Sequence, residues 1–199
     1  MLRGVLPVVF DKVIRGVVMT FSKLEKNLID VIKEEQVKLG YRSETIRLYY
    51  PILSLNRLLG TDCEVKQMTD ILNSFCDHVE PKLGRIEISD REERFCFTIS
   101  AQGAEYVHKH MDDKEFIVDL VNTISKHGVT MDEVLQQFYK YSDEVHIEKV
   151  SHGEFDYLVY FENGKPDDFR YCITDEGCHI IYHRFTVDDY NDFYQRRER

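Results

Sequence analysis

Ser54-Leu-Asn-Arg-Leu-Leu-Gly60, then Thr61-Asp-Cys63, then the long run from Glu64 to Val79 decide how this chain folds. Leu55, Leu58 and Leu59 recur at helical spacing, and Gly60 supplies a left-handed stop. Thr61 or Asp62 is placed to cap a second helix, whose apolar stripe is Val65, Met68, Ile71, Leu72, Phe75, Cys76 and Val79. Pro81 and Gly84 are expected to end it. Beyond them, Ile86/Ile88 and Phe95/Phe97/Ile99 alternate with polar residues. Arg85–Ser89 and Arg94–Ser100 therefore form a hairpin, joined by Asp90-Arg91-Glu92-Glu93. Ser100 caps a helix carrying Ala104, Val107 and Met111. The order is helix, tight turn, helix, hairpin, helix.

Upstream, Ser22-x-x-Glu25 is a capping box, and Leu24, Leu28, Val31, Ile32 and Leu39 follow at helical spacing up to Gly40. Ser43 opens a second helical stretch, with Ile46 and Leu48 to Tyr50, that Pro51 breaks. Residues 1–21 are expected to be a leader or extension. Pro7 interrupts their apolar run and no small-x-small cleavage signal follows, which argues against a signal peptide. Downstream, Asp112-Asp113 marks a boundary. A helix is expected over 114–126, and Thr130-x-x-Glu133 boxes the start of another. After Ser142 the apolar period switches to two. Four strands are expected near 144–150, 155–161, 168–174 and 178–185, with Gly153, Asn163-Gly164 and Gly177 as turns, so an antiparallel meander follows. Thr186 caps a last acidic-aromatic helix.

The segment from Ser54 through the helix at Glu64 resembles a helix-turn-helix. Phe97-Thr-Ile-Ser-Ala-Gln-Gly103-Ala-Glu-Tyr-Val107 is similar to the stretch where winged-helix regulators leave the wing for their last helix. Over the whole chain, Leu39-Gly-Tyr-Arg-Ser-Glu44, Arg47-Leu-Tyr-Tyr-Pro51 and Cys178-His-Ile-Ile-Tyr-His183 resemble an uncharacterised domain-of-unknown-function family of gut Firmicutes, which carries no assigned activity. The expected fold is α+β: a helical, winged-helix-like part over 22–111, then helices and a four-stranded antiparallel sheet over 112–199.

Charge constrains use. The net charge is −10, and residues 112–199 hold 10 Lys/Arg against 20 Asp/Glu, a field that repels phosphate backbones. Five cysteines without a CxxC pair read as reduced thiols of a cytoplasmic protein. No apolar run approaches the roughly twenty residues of a membrane span.

A groove-reading helix needs donors for base edges and cations for phosphates. Here Glu64, Asp70 and Asp77 surround Lys66. Should nucleic acid bind, Arg57, Lys66, Gln67 and Arg91 are the contacts; the wing tip offers Arg91 and Arg94 to a minor groove, beside Glu92 and Glu93, and Arg42, Arg47 and Arg57 are the candidates for a basic edge elsewhere. Cys172, Cys178, His179 and His183 fall within twelve residues, but strand geometry separates His179 from His183 by about 13 Å, too far for one ion. No metal, cofactor or catalytic set is implied. Glu154, Asp156, Asp167, Asp168, Asp175 and Glu176 form an acidic rim. Phe155, Tyr157 and Phe161 are expected on one strand face, with Phe169 and Tyr171 beside them. The opposite face, with Tyr160, Arg170 and His183, is the candidate ligand surface. The leading expectation is a binding module that holds another protein, with nucleic acid disfavoured. The alternatives are a winged-helix DNA regulator with a ligand-sensing C-terminal domain, and a small-molecule enzyme or hydrolase on the aromatic sheet face.

Overall fold

A computed structural model describes residues 12–14, 17–19, 21–112, 114–151 and 153–195. Of the expected leader, residues 1–11, 15, 16 and 20 lie outside the described residues. Its described part pairs as two short antiparallel strands, β1 (Lys12–Ile14) and β2 (Val17–Met19). The chain divides into two units, one of residues 1–29 and 43–106, the other of residues 30–42 and 107–199. The first helix, α1 (Ser22–Leu39), contributes to each.

The first unit continues with β3 (Ile46–Pro51), α2 (Ile52–Leu59), α3 (Val65–Leu83), β4 (Ile86–Arg91), β5 (Arg94–Ile99) and the start of α4 (Ala101–Lys109). The stretch expected as a second helix from Ser43 is a strand. Ile46 and Tyr50 are buried and Arg47 and Tyr49 exposed, a period of two that the apolar run Leu48–Tyr50 disguises as helical. This strand pairs antiparallel with β5, giving the order β3-β5-β4. It completes the winged-helix-like arrangement that the hairpin alone left as two strands. Phe95, Phe97 and Ile99 are wholly buried. Phe97 meets Tyr50 and Phe75 edge-to-face at 5.2 and 6.3 Å, so α3 covers this face of the sheet.

The turn between α2 and α3 is organised by one buried amide. Asn56 Oδ1 accepts from Thr61 Oγ1 and from the Cys63 N–H, both at 2.8 Å, and Asn56 Nδ2 donates to the Cys63 carbonyl at 3.0 Å. Thr61 is thus spent on Asn56, and α3 starts after an extended Glu64 with no side-chain cap. At the other end α3 runs through Pro81 to Leu83, because only one backbone bond is lost there and the position faces solvent. Gly103 is a contact point: a Cβ there would lie 2.4 Å from the Leu83 carbonyl oxygen and 2.6 Å from Ile99 Cγ2. The hairpin strands reach Arg91 and Arg94, leaving Glu92-Glu93 alone as the turn, both at positive φ (49° and 64°) without a glycine. Such turns ordinarily take Asn-Gly, so this one is strained.

The second unit holds α5 (Phe116–Ile124), α6 (Met131–Tyr141), β6 (Val145–Lys149), β7 (Tyr157–Phe161), β8 (Arg170–Asp175), β9 (Ile180–Phe185) and α7 (Val187–Tyr190), which runs on as a π-helical turn over Asn191–Gln195. The sheet is the expected meander, β6-β7-β8-β9. The Thr130 capping box forms in full: its Oγ1 accepts from the Glu133 N–H at 3.3 Å, and Glu133 accepts from the Thr130 N–H at 2.8 Å. Thr186 caps α7 by accepting from the Asp189 N–H at 3.1 Å. Both helices α5 and α6 pack on the inner sheet face, where Phe116 meets Phe138, Phe161 and Tyr171 at 4.9–5.7 Å. Phe155 corrects the expected pattern. It precedes the regular strand, which begins at Tyr157, so the alternation does not extend to it; it packs instead with Leu158 and Cys172 on the outer face.

Two substitutions test this packing. Asn56→Ala removes three hydrogen bonds and leaves half-buried partners at Thr61 and Cys63 unsatisfied, and is expected to destabilise by about 1–3 kcal/mol. Gly103→Ala forces α4 off the Leu83 carbonyl and is expected to cost about 1–3 kcal/mol. Urea midpoints followed by circular dichroism measure both, and wild-type midpoints would contradict the packing described.

Candidate functional site

Three surfaces carry the chemistry. The first is the outward side of α3. Lys66 and Gln67 are exposed on its first turn, but so are Glu64, Asp70, Asp77 and Glu80. Farther along, Lys82 and His78 are both held by Glu25, His78 Nε2 at 3.3 Å. Arg57 sits half-buried on α2 and is engaged within the fold. The expected nucleic-acid contacts are therefore dispersed, and α3 presents carboxylates among its few cations.

The second surface is the outer face of the three-stranded sheet, turned away from α3. Because Phe95, Phe97 and Ile99 point inward, Arg94, Cys96 and Thr98 must point outward. Register then aligns three rows: Pro51–Arg94–Arg91, Tyr49–Cys96–Ser89 and Arg47–Thr98–Glu87. An open groove of about 660 Å³ lies over them, lined by Arg47, Tyr49, Ser89, Asp90, Arg91, Glu92, Arg94, Cys96 and Thr98. Tyr49 is 64% exposed. Arg91 and Arg94 stand directly opposite each other, a like-charge cross-strand pair that is unfavourable. None of the guanidinium groups of Arg47, Arg91 and Arg94 has an ion-pair or hydrogen-bond partner among the described residues. Of the arginines expected as a basic edge only Arg47 lines this groove, and the structure brings it together with the wing-tip pair Arg91 and Arg94. Sequence reasoning missed this because it placed Arg47 on a helix; the alternation Ile46/Leu48/Tyr50 was the available signal.

The third surface is the outer face of the four-stranded sheet. Tyr160, Arg170 and His183 do share it. The Arg170 guanidinium lies 3.6 Å from the Tyr160 ring centre, and His146 stacks on the same ring at 4.5 Å. His146 was not singled out from sequence, although its place opposite Tyr160 follows from pairing β6 with β7. His183 is exposed one strand farther on, opposite Cys172. Part of this face is covered by the chain itself: Tyr190 and Tyr194 pack with Phe155, and Phe185 meets Phe193 and Tyr194 at 5.8 and 5.9 Å. The planar groups are thus largely occupied with one another.

Beneath the inner face lies a buried ionic cluster. Arg184 Nε donates to Glu34 Oε2 at 2.9 Å, and its guanidinium lies 4.6 Å from the Phe169 ring centre. Its two Nη atoms are buried with no hydrogen-bond partner among the described residues. Burial opposes the Arg184 charge, but Tyr171, Glu34, Asp30 and Asp167 outweigh it and raise its pKa. Glu34 also accepts from Tyr182 Oη at 2.6 Å and Lys38 Nζ at 2.7 Å. Burial alone would raise the Glu34 pKa; Arg184, Lys38 and Tyr182 together lower it. Asp167, expected on a solvated rim, is buried and accepts from Tyr171 Oη at 2.6 Å. Its loop turns inward because the Tyr171 hydroxyl requires an acceptor.

The cysteine and histidine candidates do not converge. The fourth strand of the meander is expected from residue 178, but β9 starts only at Ile180, so Cys178 and His179 both occupy the preceding turn, with Sγ 3.1 Å from His179 Nδ1. His179 also pairs with Glu176 at 2.7 Å. Burial raises the Cys172 thiol to about 12 and, with Asp77 nearby, the Cys76 thiol to about 11, so neither is a thiolate near neutrality. Among the described residues no group of three or more His, Cys, Asp or Glu is placed to hold a metal ion, and no helix is long and apolar enough to cross a membrane.

These features define an α+β protein with a winged-helix-like unit and a meander-sheet unit. The chain belongs to the family described as "Domain of unknown function, E. rectale Gene description (DUF3877)", which matches residues 21–194. No curated protein and no solved structure matches it.

The ionic cluster predicts an acid sensitivity. Because the folded-state pKa of Glu34 is lowered, its contribution is complete above the ordinary value of 4.5 and is lost as pH falls through the lower, folded value. Chemical denaturation of Glu34→Gln is expected to show a shallower loss of stability below pH 4.5 than wild type. Glu34→Ala, which strands Arg184, is expected to cost about 3–5 kcal/mol at neutral pH. Parallel pH profiles for wild type and Glu34→Gln would refute the assignment.

Proposed function

We propose that this chain is a cytoplasmic, non-enzymatic binding module, a protein-interaction or regulatory scaffold that holds another protein. The observation that carries this reading is the charge of α3. A helix placed as winged-helix proteins place their groove reader here exposes Glu64, Asp70, Asp77 and Glu80 beside Lys66. Each carboxylate near a phosphate chain opposes binding, and one cation releases few counterions. The DNA-regulator alternative lacks the basic footprint it requires. What supports a protein partner is the open sheet face, with unpaired arginines and an exposed tyrosine, residue types enriched at interfaces.

The test is direct. Purified gently from native cells after mild crosslinking, the 23.6 kDa chain is expected to be found with a second protein at fixed stoichiometry. At about 0.1 M salt it is expected to leave random duplex DNA unshifted, since screening at that strength removes weak long-range attraction. A lone monomer that retards duplex DNA, with the effect lost on Lys66→Ala, would overturn the reading in favour of the DNA regulator.

A further inference from the structure

We infer that the groove on the outer face of β3-β5-β4 is a docking site for an extended acidic segment of a partner protein. Its pattern is an Asp or Glu, an apolar or aromatic residue two positions later, and a second Asp or Glu two positions after that. This names the partner chemistry for the binding-module reading and rests on it.

In a chain of net charge −10, three guanidinium groups line one groove with no side-chain partner among the described residues. Arg91 and Arg94 are held face to face by the strand register, an arrangement that opposes itself until an anion bridges it. Nothing in the core requires those two residues to be arginine, since both are exposed beside the turn.

Spacing then selects the occupant. The Arg91/Arg94 row and the Arg47 row are four strand residues apart, about 13–14 Å at the ordinary rise. A single small anion at one end does not reach the other. An extended peptide repeats its facing side chains at every second residue, so acids at positions i and i+4 meet the two cationic rows. The residue at i+2 then lies over the Tyr49–Cys96–Ser89 row, where the Tyr49 ring is 64% exposed.

The rim separates peptide from nucleic acid. Asp90 and Glu92 line the groove, and Glu87 shares the Arg47 row. A strand with a phosphate at each nucleotide cannot avoid all three carboxylates. A peptide brings only two acids, and over the Arg47 row the second meets Arg47 on β3 with Thr98 of β5 standing between it and Glu87.

The experiment uses the full chain and a fluorescein-labelled synthetic peptide with glutamates four apart and a phenylalanine midway. Two controls are a peptide of equal composition with adjacent glutamates and a labelled single-stranded oligonucleotide. The expected result is a rise in anisotropy that weakens with salt, with the spaced peptide binding at least tenfold tighter than either control. Arg94→Glu and Arg47→Glu are each expected to weaken it tenfold or more, and Arg94→Lys less than Arg94→Glu. Unchanged circular dichroism checks that each variant folds. Equal binding of the two peptides, tighter binding of the oligonucleotide, no binding at low salt, or no effect of Arg94→Glu overturns the proposal. A native partner still held by the Arg47→Glu/Arg94→Glu double variant overturns the groove alone and leaves the binding module standing.

Discussion

The burial of Phe95, Phe97 and Ile99 on the central strand of the three-stranded sheet constrains the rest of that unit. These residues have no exposed surface, and together they remove several hundred square ångströms of apolar area from water, on the order of several kcal/mol of driving force. A slip of one residue would place all three in solvent and bury Arg94 in their stead. The register is accordingly strongly specified, and it propagates to both neighbours. The arginines of β3 and β4 reach one groove because a central strand that they flank cannot move.

The second unit has its own fixed point of a different kind. Arg184 and Glu34 form a buried pair, with Tyr182 and Lys38 donating to the other Glu34 oxygen. Such pairs contribute little net stability compared with apolar replacements, yet breaking one is expensive. The contact sets residue 34 against residue 184 and links the 30–42 segment to β9. On the outer face of the same sheet, the His146–Tyr160–Arg170 stack and the C-terminal aromatic residues occupy one another. That leaves the three-stranded sheet with the less committed surface.

Strain is unevenly placed. Glu92 and Glu93 adopt positive φ with full side chains, where glycine and asparagine are the usual occupants. The turn is tight and charged, and it stands beside the facing Arg91 and Arg94. Local backbone preference and local charge are both unfavourable at the tip of this hairpin, while the inward side chains of β5 behind it are wholly buried. Concentrated unfavourable terms on a rigid support are common where a surface is reserved for a partner.

The sequence by itself determined the elements whose signals are local. Periodicity placed α1, α3 and the meander strands, Gly60 ended α2, and Thr130 with Glu133 announced its own cap. The acidity of the long helix was equally legible, since charge needs no fold to be counted. Tertiary structure decided what depends on neighbours. Ile46–Pro51 became a strand only because β5 offers it a hydrogen-bonding edge and an apolar face, which outweighs an ambiguous local preference. Thr61 was drawn from capping to a bond with Asn56, and Asp167 turned inward to meet Tyr171. Arg47, Arg91 and Arg94 lie far apart along the chain or on opposite sides of a turn. They share a groove only because strand pairing sets side chains at fixed intervals in space, a relation that no window of sequence contains.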